Sequence, residues 1–135
     1  MERLKAAKEF LIAREKARIA TGKSTSKSCL GDVRWALGQV GLKLPWRPWP
    51  ANTALKCFEL LVKDPKHYGW KAIHHDAKGK LETPCLVFFG DCGRLKDGRI
   101  AGHISILDGS KIYANETHSY YTWWRSRIKG AFLPG

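Results

Sequence analysis

Cys29, His103 and Asn115 have the residue types and the chain order to act as nucleophile, base and orienting group. Cys29 follows the polar run Ser24-Thr25-Ser26-Lys27-Ser28 and opens a stretch in which Val33, Leu37 and Val40 recur at helical spacing. Ser and Thr start helices and Gly41 is a natural stop, so a helix is expected to begin at the cysteine. In a first helical turn, unpaired amide N–H groups and the positive end of the helix dipole favour a thiolate, the reactive form. The plain alternative is that Cys29 is a small buried apolar residue. A cysteine nucleophile also needs a base and a third group that fixes the base. His103 opens the strand-like run Gly102-His103-Ile104-Ser105-Ile106-Leu107. The turn Asp108-Gly109-Ser110 then returns the chain along Lys111 to Ala114 and brings Asn115 alongside. An amide beside an imidazole can hold one tautomer without itself carrying charge.

The elements that must position these groups follow from periodicity. Residues 2 to 20 form an amphipathic helix with Leu4, Ala7, Leu11 and Phe10 along one stripe and charges elsewhere. Pro45-Trp46-Arg47-Pro48-Trp49-Pro50 is too broken by proline for a helix or a central strand, so it is an ordered loop. Its aromatic rings either wall a ligand groove or cover the core. Asn52-Thr53 caps a helix carrying Leu55, Phe58, Leu61 and Val62 that ends near Asp64-Pro65. Tyr68 to Ile73 reads as extended, Leu86-Val87-Phe88-Phe89 as a buried strand, Ile100 to Leu107 as a further strand, and Thr122 to Phe132 as a last segment. Helices first and a meandering antiparallel sheet afterwards make an α+β domain.

At 135 residues the chain is one domain in size, and 44% hydrophobic residues argue against wholesale disorder. Its net charge of +12 draws it to polyanions: nucleic acid, anionic membrane surfaces or bacterial walls. Charge alone does not choose among them. Lys5, Lys8, Glu9, Arg14, Glu15, Lys16 and Arg18 interrupt any apolar core in the first twenty residues, so no signal peptide and no membrane span are expected. Cys29, Cys57, Cys85 and Cys92 form no CxxC pair, which fits free thiols made in a reducing cytoplasm, although Cys85 and Cys92 could pair in an oxidising space.

Several stretches resemble the NlpC/P60 and CHAP group of papain-like peptidoglycan hydrolases, from about Ala17 onward. Ser28-Cys29-Leu30-Gly31-Asp32-Val33 through Gly41-Leu42-Lys43-Leu44-Pro45 is similar to that group's cysteine segment and the helix after it. Pro84-Cys85-Leu86-Val87-Phe88-Phe89 is similar to its buried strand, Gly102 through Asn115 to its histidine strand and hairpin, and Trp124 through Ala131 to its closing strand. The resemblance implies a papain-like fold, with N-terminal helices packed on a central antiparallel sheet. Residues 1–20 would be an added helix and 21–135 the catalytic core. It implies Cys29 as nucleophile, His103 as general base and Asn115 as orienter, with Glu116 the alternative third residue. Consecutive strand residues face opposite ways, so Asn115 and Glu116 are not expected to serve together without a bulge. The backbone N–H of Cys29, with a neighbour at Ser28, would form the oxyanion hole. Trp46, Arg47, Trp49, Trp124 and Arg125 are the expected substrate contacts, and Arg94 and Arg127 further wall contacts. The chain departs from the group at Ser28, Leu30, Asp32 and Cys85, where an acidic, a small polar, an aromatic and an acidic residue are usual.

The implied reaction is hydrolysis of an amide in the peptide part of peptidoglycan through an acyl-enzyme, with no metal and no cofactor required. The implied partners are peptidoglycan and anionic wall polymers, met by a monomer. A wall hydrolase made without an export signal is expected of a phage, as an endolysin or a virion-associated lysin; a secreted toxin is another route. Three rival readings remain. One is a nucleic-acid binder using Tyr120-Tyr121-Thr122-Trp123-Trp124-Arg125 for stacking and phosphate contact, which leaves the ordered Cys, His and Asn unexplained. Another is a wall-binding relative without catalysis. The third is a zinc site from Cys57, Cys85, Cys92 and His67, His74 or His75, whose spacings match no usual ligand pattern.

Overall fold

A computed structural model describes residues 2–22, 29–48, 50–76 and 78–135. Helix α1 (Glu2–Ala20) is followed by α2 (Cys29–Gln39) and α3 (Ala54–Lys63), and a short 3-10 turn (Pro65–Tyr68) leads into the sheet. Strands β1 (Trp70–Ile73), β2 (Cys85–Phe89), β3 (His103–Asp108), β4 (Lys111–Tyr113) and β5 (Thr117–Ser119) come next, then the single-turn helix α4 (Thr122–Arg125) and strand β6 (Ile128–Pro134). The sheet order is β1-β6-β2-β3-β4-β5, with every neighbouring pair antiparallel. The molecule is therefore α+β, with helices and a six-stranded antiparallel sheet.

Strand alternation divides the core into two. Leu86, Phe88, Ile104, Ile106 and Phe132 face the helices, where they meet Leu4, Ala7 and Leu11 of α1, Leu30, Val33, Ala36 and Leu37 of α2, and Cys57 and Leu61 of α3. Cys85, Val87, Phe89, Leu107, Ile112 and Ala131 face the other way and are covered by Tyr120 and Trp124. β2 is buried along its whole length because both of its faces are covered, which is why it reads as an unbroken apolar run. The α3 cap is the expected one, with the Lys56 N–H donating to Thr53 Oγ1 at 3.2 Å. Polar side chains tie α1 to the sheet edge: Glu15 accepts from the Thr117 backbone N–H and hydroxyl at 2.9 Å each, and Lys8 pairs with Asp108 at 2.7 Å.

The structure corrects four of the expected boundaries and contacts. The strand expected from Ile100 begins at His103, because Ile100 instead bridges Arg94 within the β2–β3 loop. The returning strand ends at Tyr113 rather than Ala114, and β5, three residues without an apolar pattern, adds an edge strand. The last segment is divided into α4 and β6. Phe10 leaves the buried stripe of α1 and packs edge-on against Trp35.

Candidate active site

Cys29 is the first residue of α2, and the helix is set against α1 by a buried charge. Asp32, in the first turn, is almost wholly buried and accepts a two-pronged bond from the Arg18 guanidinium, whose Nη2 lies 3.0 Å from Oδ1. Arg14 Nε approaches the same carboxylate at 3.7 Å. A carboxylate in a first turn complements the helix dipole, and the arginine fork offsets its desolvation. This accounts for the acidic residue where the resemblance leads one to expect an aromatic ring. The neighbouring Ser28, expected to share the oxyanion hole, lies outside the described residues.

Cys29 is half-buried, and the loss of water around its thiol pushes the pKa up to about 11. The backbone N–H groups of Ile104, Leu30 and Cys29 itself pull the other way, and the nearby Cys92 thiol pushes up again. The helix start therefore does not hold a thiolate in the resting protein as its electrostatics suggested, because loss of water outweighs the amides. What survives of the expectation is the ring of backbone donors around the sulfur.

His103 is the first residue of β3, directly after Gly102. Gly102 has φ +73°, and a Cβ there would stand 2.9 Å from the Phe89 carbonyl oxygen, so no larger residue fits this approach of the β2–β3 connection to its own strand. Facing pairs put His103 opposite Phe89, and its ring packs on Trp124 with centroids 4.9 Å apart. Burial, with a smaller push from His118, lowers the His103 pKa to about 4. Nε2 is buried and has no hydrogen-bond partner among the described residues.

Asn115 and Glu116 lie in the turn between β4 and β5, closed by Ala114 N–H donating to Glu116 O at 3.1 Å, rather than on a strand. Strand alternation therefore does not separate them, and both line one open cleft of about 610 Å³ together with Cys29 and His103. Asn115 makes no hydrogen bond to His103 Nε2, so the expected orienting contact is not formed through that nitrogen. The cleft also takes in His118, Trp123 and Trp124 on one side and Cys92 and Arg94 from the β2–β3 loop.

No known protein family, curated protein or solved structure matches this chain. The chemistry of the cleft rests on its own residues. Of the expected substrate contacts, Trp124 lines the cleft; Trp46 and Arg47 are exposed outside it, and Trp49 lies outside the described residues. Arg34 packs over the Trp46 ring at 5.0 Å, which gives that tryptophan a surface role. Arg125 packs over Tyr120 at 5.1 Å and borders a separate cavity of about 400 Å³ beside Asp76 and Lys80. Arg127 covers Trp123 at 3.9 Å, while Arg94 reaches the cleft.

All four cysteines are free thiols. Cys85 starts β2 and Cys92 lies beyond its far end, about 13 Å of strand away. A disulfide needs Cα atoms within about 7 Å, so these two do not pair in this fold. Among the described residues no group of three or more His, Cys, Asp or Glu side chains is placed to hold a metal ion, and no helix is long and apolar enough to cross a membrane.

The cleft residue that sequence reasoning missed is His118; Cys92 and Trp123 figured in that reasoning only as candidates for a disulfide or zinc and for nucleic-acid stacking. His118 stands on the same face as Leu107 through the facing pairs Leu107 with Ile112 and Ile112 with His118. His118 Nε2 lies 3.5 Å from Glu116 Oε2, and its ring packs on Trp124 at 5.7 Å. The only signal in the sequence was the i, i+2 spacing of Glu116 and His118 ahead of two tryptophans.

Proposed function

We propose that this chain is a thiol-dependent hydrolase of the papain-like NlpC/P60 kind, cutting an amide bond in the peptide part of peptidoglycan. The observation that carries the proposal is the meeting of Cys29, His103 and Asn115, from α2, β3 and the β4–β5 turn, in one open cleft. Cys29 Sγ attacks the amide carbonyl as its proton passes to His103, the amine leaves, and water hydrolyses the thioester. The amides at the start of α2 stabilise the oxyanion. With the thiol at about 11 and the imidazole at about 4, seven pH units separate the two groups. Forming a free thiolate and imidazolium would cost on the order of 10 kcal/mol. Mutual attraction near the surface returns only about 4 kcal/mol at contact distance. The resting pair is therefore neutral, and the proton moves only as the carbon–sulfur bond forms.

The net charge of +12 supports attraction to an anionic wall. The setting that fits is a phage endolysin or a virion-associated lysin. The nucleic-acid alternative keeps little of the aromatic run: Tyr120 and Trp124 are buried and Arg127 packs over Trp123, which leaves Tyr121 as the uncovered exposed ring. Purified peptidoglycan is incubated with wild type and with Cys29→Ala, and the released fragments are weighed by mass spectrometry. Release of muropeptides by wild type alone is expected; undiminished release by Cys29→Ala sinks the mechanism.

A further inference from the structure

In a thiol mechanism the base that takes the thiol proton, here His103, ordinarily hands it to the leaving amine. The leaving amine must be protonated, and His103, with Nε2 buried and its ring packed on Phe89 and Trp124, is poorly placed to reach it. A second imidazole stands in the same cleft. The side chain of His118 is 40% exposed, its Nε2 faces the Glu116 carboxylate at 3.5 Å, and it shares the Trp124 ring with His103. Alternation along β3 puts His103 on the face of Leu107, which the facing pairs show is also the face of His118. Resting on the thiol mechanism above, we infer that His118, positioned by Glu116, is the catalytic acid that protonates the leaving amine, while His103 handles only the proton of Cys29.

The protons balance over one turnover. The turnover starts from the form in which Cys29 is a thiol, His103 is neutral and His118 carries the proton to be donated, with its Nε2–H towards Glu116. In acylation the thiol proton goes to His103, the S–C bond forms, the C–N bond breaks, and the Nδ1 proton of His118 goes to the amine. In deacylation a water oxygen bonds to the thioester carbon and gives a proton to His118 Nδ1; the C–S bond breaks and sulfur takes its proton back from His103. Only one of the two rings carries the charge in each stable state. The repulsion of His103 by the His118 charge favours that alternation, since His118 becomes neutral when His103 must hold a proton. Glu116 stabilises the charge when it rests on His118, and Arg94, the other charged side chain on the cleft wall, is turned to the Gly98 carbonyl at 3.0 Å.

A leaving group that needs no proton separates this role from a structural one. Wild type, Cys29→Ala, His118→Gln and Glu116→Gln are compared in muropeptide release from peptidoglycan and in the nitrophenolate burst with p-nitrophenyl acetate. The expected result for His118→Gln is a loss of about 100-fold in release, with a far smaller loss in the burst. Glu116→Gln should shift the two reactions in the same unequal way, and free imidazole should restore release to His118→Gly. Equal losses in both reactions, or undiminished release, would overturn the role of His118 while leaving Cys29 as nucleophile. A wild-type burst that persists in Cys29→Ala overturns the thiol mechanism and this inference with it. A Cys29-dependent burst without muropeptide release overturns the wall substrate and the leaving-amine role together.

Discussion

The reactivity of Cys29 towards an alkylating agent is the most direct measure of the neutral resting pair. Burial moves the thiol from an ordinary 9.0 to about 11, so at neutral pH the thiolate fraction is lower by two decades, about 100-fold. A more basic thiolate is also more nucleophilic, with a Brønsted slope of about 0.4–0.5 that returns roughly six- to tenfold over those two units. The expected net effect is alkylation about tenfold slower than for an unhindered cysteine, before any shielding by the cleft walls. The assay is iodoacetamide labelling from pH 6 to 10.5, with the Cys29 peptide quantified by mass spectrometry. The logarithm of the rate should climb with unit slope across the whole range. A plateau beginning below pH 8, or a rate above that of free cysteine at pH 7, would show a preformed thiolate–imidazolium pair and refute the neutral pair.

Two further outcomes test the frame around the site. Asp32→Ala leaves the Arg18 guanidinium buried without its partner and should lower the unfolding free energy by roughly 3–5 kcal/mol in urea titrations; a loss as small as that of a surface pair would show that the carboxylate does not set α2 against α1. His103 titrates at about 4 in the fold against 6.5 ordinarily, so the stability it contributes is complete above 6.5 and is lost as pH falls through about 4. That window is worth at most about 3 kcal/mol, and His103→Gln should fall off less steeply than wild type between pH 7 and 4. Parallel decline of the two proteins overturns the buried neutral imidazole.

The sequence carried the elements that pack by side-chain period. α1 and α2 show in the spacing of Leu4, Ala7 and Leu11 and of Val33 and Leu37, and β2 in its unbroken apolar run. β5 did not show, because Thr117-His118-Ser119 is an edge strand held by backbone pairing to β4, with no apolar alternation to betray it. His118 stayed hidden with it, and its place beside His103 depends on cross-strand register, which a single chain does not display. The position of Cys29 at a helix start was legible. The loss of water around its sulfur was not, since the groups that surround it, Ile104 and Cys92 among them, come from separate parts of the chain. Asp32 likewise looked out of place among apolar residues until Arg14 and Arg18, one helical turn apart on α1, were brought across it.

β6 is the last strand in chain order, yet it lies between β1 and β2. A growing chain that has delivered Cys29, His103 and Glu116 still lacks a central slat of its sheet and the Trp124 ring on which both imidazoles rest. Until residues 128–134 are inserted, β1 has no neighbour to join it to the other strands. The sheet that carries the cleft is thus closed late, with β1 and β2 joined only through the last strand made.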